Sequence, residues 1–552
     1  MLDDNFTELC HVAFKENWNN NAFKIFKEKG MTYGDAAKKI AYLQAIFKAN
    51  GVKPGDKIAT IGADSPNWCI VYLAVTLYGA KIVPILSDFL PSDVEHITNH
   101  SEAIILFSDE DMFEELNEET LKNLMGIFSL KDFNLLFSLK KNFTDTIDKT
   151  KEEFNKKVAE GFTYEDLEWT KMPNDHIAAI VYTSGTTGFS KGVMQTFNSL
   201  VGNIKFAQDN VRLDNRDEVI AILPLAHAYG CAFSFLFPIT SGACIVFLGK
   251  KPSPKVVMNA FQIVKPRFIV AVPLIIEKIY KKRIAPKLKT TSVKILTAIP
   301  GLNKLIYKKI KNGILEGFGG NVEHLVIGGA AFNPKIEQFL TDIKFPMTVG
   351  YGMTECSPLI SYSHWYDTKV GSVGKAIDVM EIRIENPDPE TKIGEIQTRG
   401  ENVMVGYYNN EEATKESFTE DGWLKTGDLG IIDDDGFLFI KGRSKSMILG
   451  PSGQNIYPEV IELKINNINY AQESVVVEQD GKLVALVYPD YEAVDAHGGV
   501  HSIDDEAVIE ASRKELNKSL PPYSQISKVK IWPEEFQKTP SRKIKRYLYQ
   551  EK

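Results

Sequence analysis

The segment from Val181 to Gly192 contains the residue types that bind phosphate. It reads Val-Tyr-Thr-Ser-Gly-Thr-Thr-Gly-Phe-Ser-Lys-Gly and follows an apolar run, Ile177 to Val181, that predicts a strand. Glycines let backbone N–H groups approach anionic oxygens, hydroxyl groups add donors, and a lysine supplies positive charge. The spacing is not that of the GxxxxGK[ST] loop. A surface turn is the alternative, but so many donors after a strand favour phosphate contacts by Thr183, Ser184, Gly185, Thr186, Thr187, Gly188 and Lys191.

Six other short segments along the chain combine aromatic, hydroxyl, carboxylate, cationic or small residues. Around Tyr351 an aromatic ring, a hydroxyl and a carboxylate stand within five residues, and all three suit ATP and its metal ion. In chain order these segments are Leu223-Pro-Leu-Ala-His-Ala-Tyr-Gly230, Gly328-Gly-Ala-Ala331, Tyr351-Gly-Met-Thr-Glu355, Thr426-Gly-Asp428, Lys441-Gly-Arg-Ser-Lys445 and Ser541-Arg-Lys543.

Taken together and in this order, the segments resemble the signatures of the adenylate-forming superfamily over nearly the whole chain. That superfamily includes acyl-CoA synthetases, peptide-synthetase adenylation domains and firefly luciferase, and the chain looks most like bacterial long-chain fatty acid–CoA ligases. The resemblance implies ATP, Mg²⁺ and coenzyme A as substrates and cofactors. It also implies a reaction in which a carboxylate and ATP give acyl-AMP and pyrophosphate, after which the thiol of coenzyme A takes the acyl group.

The resemblance assigns the nucleotide contacts. Tyr351 would stack on adenine, Thr354 would contact the α-phosphate, and Glu355 would hold Mg²⁺, which typically takes one or two carboxylates plus phosphates. The alternative for Glu355 is a surface salt bridge. Asp428 would accept the ribose hydroxyls, or else cap a turn. Gly328, Gly329 and Ala330 would form a floor of small residues that admits the adenine ring, or else a tight turn at a strand end. The remaining contacts implied for the nucleotide and coenzyme A come from Gly352, Arg443, Lys445 and Gly453.

Lys543 is the residue predicted to carry the first half-reaction. A carboxylate that attacks an anionic phosphate is repelled, and an ammonium between the two groups stabilises the charge as it redistributes. The chain has Arg542 where the family usually has glycine before this lysine. A solvated basic helix face over 542–546 is the alternative, and contact of these charges with coenzyme A phosphates is a further hypothesis.

Lys445 and His227 have roles that come from the resemblance. Lys445 corresponds to a hinge about which the C-terminal domain swings, withdrawing Lys543 and bringing in the loop with Gly453. An exposed interdomain lysine is the alternative. His227 would position or gate the acyl carboxylate beside the coenzyme A channel, whereas a buried, hydrogen-bonded histidine is the default for such a sequence. Cys356, although next to Glu355, is interpreted as a packing residue.

Composition narrows the class of protein. The 552 residues exceed what one core serves, and 44% hydrophobic with 25% charged residues is typical of a globular enzyme. The net charge of -8 argues against a nucleic-acid-binding surface. The cysteines are odd in number and never in a CxxC pair, which favours reduced thiols, and with an acidic start this predicts a cytoplasmic protein. No obligate protein partner is evident, and peripheral membrane contact stays open.

One stretch, from Val219 to Gly249, has no Asp, Glu, Lys or Arg and is long enough for a membrane span. Prolines and glycines divide it into a predicted strand, a turn, a helix around Ala232 to Ile239 and a second strand, so a span is not expected. The apolar helix would line a tunnel for a hydrocarbon chain, which favours a fatty acid, although such helices more often belong to the core.

Local signals predict alternating helices and strands. Thr32 with Asp35, and Ser65 with Pro66, begin helices that end at Gly51 and Gly79. The expected fold is α/β, with two doubly wound subdomains and a β-rich subdomain over about 371–443 in an N-terminal domain 1–444, and a small, mobile α+β domain 445–552. An acyl-carrier-protein ligase, a non-catalytic nucleotide sensor and a luciferase-like oxygenase remain the alternative functions.

Overall fold

The structure is a computed structural model, and it describes residues 1–140, 143–183, 190–250, 252–288, 302–449, 455–466, 471–479, 481–491, 506–539 and 543–550. Its α-helices are Phe6–Glu16, Tyr33–Ala49, Pro66–Tyr78, Pro91–His100, Glu110–Glu115, Phe143–Ala159, Phe197–Asn210, Ala228–Gly230, Phe237–Thr240, Pro254–Val264, Pro273–Ile279, Ala285–Leu288, Leu302–Gly317, Pro334–Asp342, Glu411–Ser417, Pro458–Ile465 and Glu506–Lys518. The π-helical segment Cys231–Leu236 joins two of them, so that 228–240 is one continuous helix.

Helix ends follow the predicted capping signals. Thr32 accepts the backbone N–H of Asp35 and the Asp35 carboxylate accepts that of Thr32, which begins the helix Tyr33–Ala49. The helix Pro66–Tyr78 begins after Ser65 and ends at Gly79, whose φ of +89° suits a glycine. These helices pack on the sheets and bury their apolar residues in one large core.

The largest sheet has eight strands and carries the predicted phosphate loop near one edge. Its central strands are parallel and joined through helices, as the alternating pattern predicted. The strand order is Gly406–Tyr407, Lys191–Thr196, Ile177–Thr183, Lys81–Ile85, Lys57–Ile61, Ile105–Ser108, Gly126–Ser129 and Leu135–Ser138.

Three smaller sheets complete the N-terminal part. The first has the order Glu218–Ala221, Cys244–Phe247, Asn21–Ile25 and Met31–Thr32. The second is parallel and consists of Phe268–Ala271, His324–Ile327 and Met347–Val349; it is called the small parallel sheet below. The third is antiparallel, with Tyr351–Gly352, Leu359–Tyr362 and Lys375–Ala376.

Short antiparallel strands dominate the later part of the chain, as predicted for 371–443. Met380–Glu385, Gly394–Gly400, Leu424–Ile432 and Leu438–Arg443 form one sheet in that order. Ile448–Leu449 pairs with Asn455–Ile456, and Ala471–Gln479, Lys482–Pro489 and Lys528–Ile531 form the last sheet. The mixed α/β class predicted from the sequence is therefore confirmed.

By compactness the chain divides into two units. The first comprises 1–381 and 398–424, and the second comprises 382–397 and 425–552. Compactness thus groups residues 425–444 with the C-terminal residues, whereas the sequence placed a hinge at Lys445. That hinge concerns motion and stays a prediction.

The uncharged stretch folds as a strand, a helix and a strand, as predicted, with the strands Glu218–Ala221 and Cys244–Phe247. Among the described residues, no helix combines the length and apolar character needed to cross a bilayer. The five cysteines are buried free thiols, as expected from their number and spacing.

Candidate active site

The predicted phosphate loop connects two antiparallel strands of the largest sheet. Ile177–Thr183 pairs with Lys191–Thr196, and in this register Thr183 lies opposite Lys191. The two ends of the segment that the sequence singled out are therefore adjacent in space. The predicted contacts Ser184, Gly185, Thr186, Thr187 and Gly188 lie outside the described residues.

Lys191 and Glu355, predicted to contact phosphate and Mg²⁺, are joined through Tyr407. The Lys191 Nζ lies 4.9 Å from the centroid of the Tyr407 ring, and the Tyr407 hydroxyl donates to Glu355 Oε1 at 2.9 Å. Burial and the neighbouring carboxylate raise the pKa of Tyr407, so its hydroxyl stays protonated as a donor. The Lys191 ammonium, the Tyr407 phenol and the Glu355 carboxylate thus form a continuous chain of contacts that begins where the strand after the phosphate loop begins.

The turn that carries Thr354 and Glu355 is held by its backbone. Gln195 Nε2 donates to the carbonyl oxygen of Thr354 at 2.9 Å, and the N–H of Met404 donates to that of Glu355 at 2.8 Å. Gln195 belongs to the strand that begins at Lys191, so this bond ties the turn to the phosphate-loop hairpin. Gly352 precedes this turn. A Cβ at this position would overlap the carbonyl oxygen of Pro358, which explains why the residue is glycine.

The glycine-rich segment predicted to hold adenine lies at the same sheet edge as Tyr351. Ile327 and Val349 end neighbouring parallel strands, so the residues that follow them emerge together. Gly328 is buried, whereas Gly329, with a φ of +84°, and Ala330 are exposed. Tyr351 itself is buried, with 8% of its surface accessible.

His227 begins the helix at Ala228 and lies near this edge. Its Nδ1 accepts the N–H of Tyr229 at 3.3 Å, which leaves the proton of a neutral imidazole on Nε2. The Tyr229 hydroxyl donates to the carbonyl oxygen of Val326 at 3.0 Å. A Cβ at Gly328 would lie 3.3 Å from the Tyr229 ring, so the small residue there admits this aromatic side chain.

Mg²⁺ is the metal ion that the motif pattern implies, and Glu355 fits it as a single protein ligand. The carboxylate is half-buried, and Tyr407 fixes one of its oxygens. Within the described part of the chain, no group of three or more His, Cys, Asp or Glu side chains is close enough to hold a metal. Mg²⁺ is typically held by one or two carboxylates plus substrate phosphates, so the phosphates of a nucleotide would supply the other ligands.

The second unit contains Asp428 and Arg443 side by side. They lie directly opposite each other on paired strands, and Arg443 Nε lies 3.0 Å from Asp428 Oδ1. Asp428 is buried while half of the Arg443 side chain is exposed. The backbone N–H of Asp428 donates to Thr426 Oγ1, which fixes the backbone at this residue.

Lys543 is exposed, and its backbone is anchored. Its N–H donates to Thr539 Oγ1 at 3.2 Å, and its carbonyl accepts the N–H of Thr539 at 2.7 Å. Arg546, three residues on, is bonded to the buried Glu462 at 2.8 Å through Nη2. Ile544 forms an isolated antiparallel bridge with Lys538, and a short 3₁₀ turn follows at Arg546–Leu548. Arg546 therefore does not belong to a solvated helix face.

Lys445 is exposed in the 3₁₀ turn Ser444–Ser446. Gly453 and Arg542 lie outside the described residues. The structure thus brings together Thr183, Lys191, Thr354 and Glu355 in the first unit, with Gly328, Tyr351 and His227 along one sheet edge. It places Asp428 beside Arg443 in the second unit.

Sequence reasoning missed three residues that build this site. Tyr229 stood inside a recognised segment but had no role, and Gln195 stood in the strand after the loop. Tyr407 is 52 residues from Glu355 along the chain, so no local spacing signals their contact. Only the pairing of Gly406–Tyr407 with the strand Lys191–Thr196 would have revealed this contact.

Comparison with known proteins shows the family to which this chain belongs. The model of the AMP-binding enzyme family matches residues 12–408. A long-chain-fatty-acid–CoA ligase, FadD15 of Mycobacterium bovis, is 29% identical over 95% of this chain and 90% of its own length. The peroxisomal long chain acyl-CoA synthetase 6 of Arabidopsis thaliana is 29% identical over 84% of this chain and 69% of its own.

Solved structures agree on the fold. ATP-bound MatB from Rhodopseudomonas palustris superimposes with a TM-score of 0.76 at 22% identity, covering 99% of this chain and 98% of that one. The chain belongs to the AMP-binding enzyme family.

Proposed function

We propose that this protein is an ATP-dependent acid–thiol ligase that activates a long-chain fatty acid and transfers it to coenzyme A. In the first step a carboxylate oxygen attacks the α-phosphorus of ATP, and pyrophosphate leaves with the bonding electrons. In the second step the thiol sulfur attacks the acyl carbonyl carbon, loses its proton, and AMP leaves. No oxidant or reductant is required.

The observation that carries the proposal is the contact of Lys191 with Tyr407 and of Tyr407 with Glu355. A triphosphate needs positive charge, donors and a metal-binding carboxylate within a few ångströms of one another. Here Lys191 supplies the charge and Glu355 the carboxylate, while Tyr407 holds the carboxylate in one orientation. When bound, Mg²⁺ would neutralise the phosphate oxygens.

The carboxylate of Asp428 is suited to accept the ribose hydroxyls. Arg443, on the neighbouring strand, lies 3.0 Å from one of its oxygens and holds the carboxylate in one orientation. A carboxylate oxygen is a hydrogen-bond acceptor, which is what two ribose hydroxyl groups require. The roles of these two residues therefore differ, since Asp428 would touch the ribose and Arg443 would position Asp428.

The long-chain preference is supported by the names of the relatives. The helix expected around Ala232 to Ile239 to line an acyl tunnel is observed over 228–240. It is packed in the core, where Phe235 contacts Trp68 and Tyr72. Phe237 packs against Phe268. A surface for an acyl chain would have to come from the half-buried start of this helix, at Tyr229.

A hydroxylamine-trapping screen tests the function. Hydroxylamine converts acyl-adenylates to hydroxamates, and the screen compares acetate with medium-chain, long-chain and aromatic acids. We expect ATP-dependent product with long-chain acids, and thioester when coenzyme A replaces hydroxylamine. Product with an acyl carrier protein instead of coenzyme A would change the acceptor, and no product with any acid would refute the proposal.

Lys543→Ala tests the first half-reaction. Loss of a preorganised charge at an oxyanion typically costs a factor of about 10² to 10³ in rate, so exchange of labelled pyrophosphate into ATP should fall by that factor. Lys545→Ala, two residues on, is the matched control and should retain exchange. Comparable exchange by the two variants would contradict the role of Lys543.

A further inference from the structure

A groove of about 520 Å³ lies away from the candidate active site. Arg267, Glu323 and Pro346, the residues immediately before the three strands of the small parallel sheet, form part of its wall. Gly328 to Ala330 follow the opposite end of the strand His324–Ile327. Four residues of a strand span roughly 13 Å, so the groove and the predicted adenine segment lie at opposite edges of this sheet.

Buried polar atoms without partners are concentrated here. Of twelve such side-chain atoms in the described part of the chain, four belong to Arg267, His324, Tyr362 and His364. His324 and His364 line the groove, with ring centroids 6.5 Å apart, and the Tyr362 ring lies 5.6 Å from that of His364. Since buried polar groups are paired in the great majority of cases, this cluster distinguishes the wall of the groove from the rest of the described chain.

The carboxylates that line the groove have cations beside them. Glu323 lies 3.3 Å from Arg267, which also contacts Asp217 at 3.1 Å. Asp209 lies 3.8 Å from Lys205. These acidic side chains therefore leave little net negative charge in the groove.

Two further cations are available to a ligand. Arg212 is exposed, and its guanidinium makes no hydrogen bond or ion pair with any residue in the described ranges. Lys311 reaches over the ring of Trp365 at 5.5 Å from its centroid. Both line the groove, so together with the histidines they present a positively charged surface of hydrogen-bond donors.

An aromatic platform lies beside these cations. Tyr366 is 68% exposed and stacks on His364, with ring centroids 4.9 Å apart and planes 7° from parallel. Trp365 meets Tyr366 edge-on at 5.5 Å. An exposed ring already fixed by stacking is suited to bind another planar ring.

We propose that this groove is a second ligand site, which binds a nucleotide: a phosphate ester that carries a planar heterocycle. Arg212 and Lys311 contact the phosphate, the imidazole of His324 adds a hydrogen bond, and the heterocycle stacks on Tyr366. The volume lies within the range of small-molecule sites. The inference stands independently of the proposed function, because none of these residues belongs to the candidate active site.

Calorimetric titration with AMP and, separately, GMP tests the site. We expect AMP to occupy two sites on the wild-type protein and one on the double variant Arg212→Gln, Lys311→Gln. GMP should bind the wild type and bind the double variant at least tenfold more weakly, as expected for loss of hydrogen bonds to a charged group. Tyr366→Ala should weaken GMP binding about tenfold and leave inorganic phosphate binding unchanged.

The matched control is the double variant Lys308→Gln, Lys309→Gln. It removes two exposed charges outside the groove from the helix Leu302–Gly317, which also carries Lys311. This variant should retain both AMP sites. Nucleotide binding that the groove variants leave unchanged would overturn the proposal. A second outcome would also overturn it: neither nucleotide binds in the groove, but phosphatidylglycerol vesicles bind the wild type and not the double variant. The phosphate that Arg212 and Lys311 contact would then belong to a lipid headgroup.

Discussion

Tyr407→Phe should weaken the response of this protein to Mg²⁺ without unfolding it. The substitution removes one hydroxyl, which donates to Glu355 at 2.9 Å, and keeps the ring that Lys191 contacts. The carboxylate would then rotate freely, and fewer of its orientations would suit a metal ion. The change is therefore confined to the orientation of one predicted metal ligand.

The structure gives the size of the effect. A hydrogen bond to a charged group contributes roughly 1.5–3 kcal/mol, and the lower end applies because Glu355 is only half-buried. A change of about 1.4 kcal/mol is tenfold in an equilibrium constant. The Mg²⁺ concentration that gives half-maximal exchange of pyrophosphate into ATP should rise about tenfold, and the rate at saturating Mg²⁺ should change little.

Tyr408→Phe is the matched control, because the next residue makes the same kind of bond elsewhere. Its hydroxyl donates to Glu102 at 2.8 Å, and its ring faces Lys57 rather than Lys191. This variant should keep the wild-type Mg²⁺ dependence. Equal Mg²⁺ dependence of Tyr407→Phe and the wild type, or an equal loss in both variants, would refute the assignment of Glu355.

Two further predictions concern stability. Arg546→Met leaves Glu462 buried without its cation and should lower the free energy of unfolding of the second unit, measured in urea, by about 3 kcal/mol, whereas Lys545→Met should change it by less than about 0.5 kcal/mol. Burial raises the pKa of Glu337 from 4.5 to about 7, although the N–H of Gly371 donates to it. Between about pH 4.5 and about pH 7 the native state holds this proton and the unfolded state has lost it, so the stability of the protein should decrease as pH rises through this range. Glu337→Gln should abolish that decrease in thermal melts. A variant with the same pH profile as the wild type would contradict this prediction.

Local chemistry explains which parts of the fold the sequence could predict. A capping box at Thr32 and Asp35, or a proline after Ser65, acts within one helical turn, so the residues that decide the helix end are neighbours in the chain. The strand before the phosphate loop was equally visible from its apolar run. These elements position Thr183 and Lys191 without any knowledge of distant contacts.

Contacts set by strand register could not be predicted. Asp428 and Arg443 were each recognised, but their pairing depends on a hairpin register with an irregularity between Leu429 and Gly430. Arg546 was grouped with its basic neighbours because sequence shows charge and not burial; its partner Glu462 is 84 residues away. The groove is formed from residues before three separate strands, which become neighbours only when the sheet is assembled.

The consecutive tyrosines Tyr407 and Tyr408 show why function at this site depends on register. In the sequence they are equivalent, and neither stands near a recognised motif. Because successive side chains of an extended chain point to opposite sides, one hydroxyl reaches Glu355 and the other reaches Glu102. A shift of one residue in the pairing of Gly406–Tyr407 with the strand Lys191–Thr196 would exchange their surroundings. The orientation of the predicted metal ligand therefore depends on a two-residue strand pairing at the edge of the largest sheet.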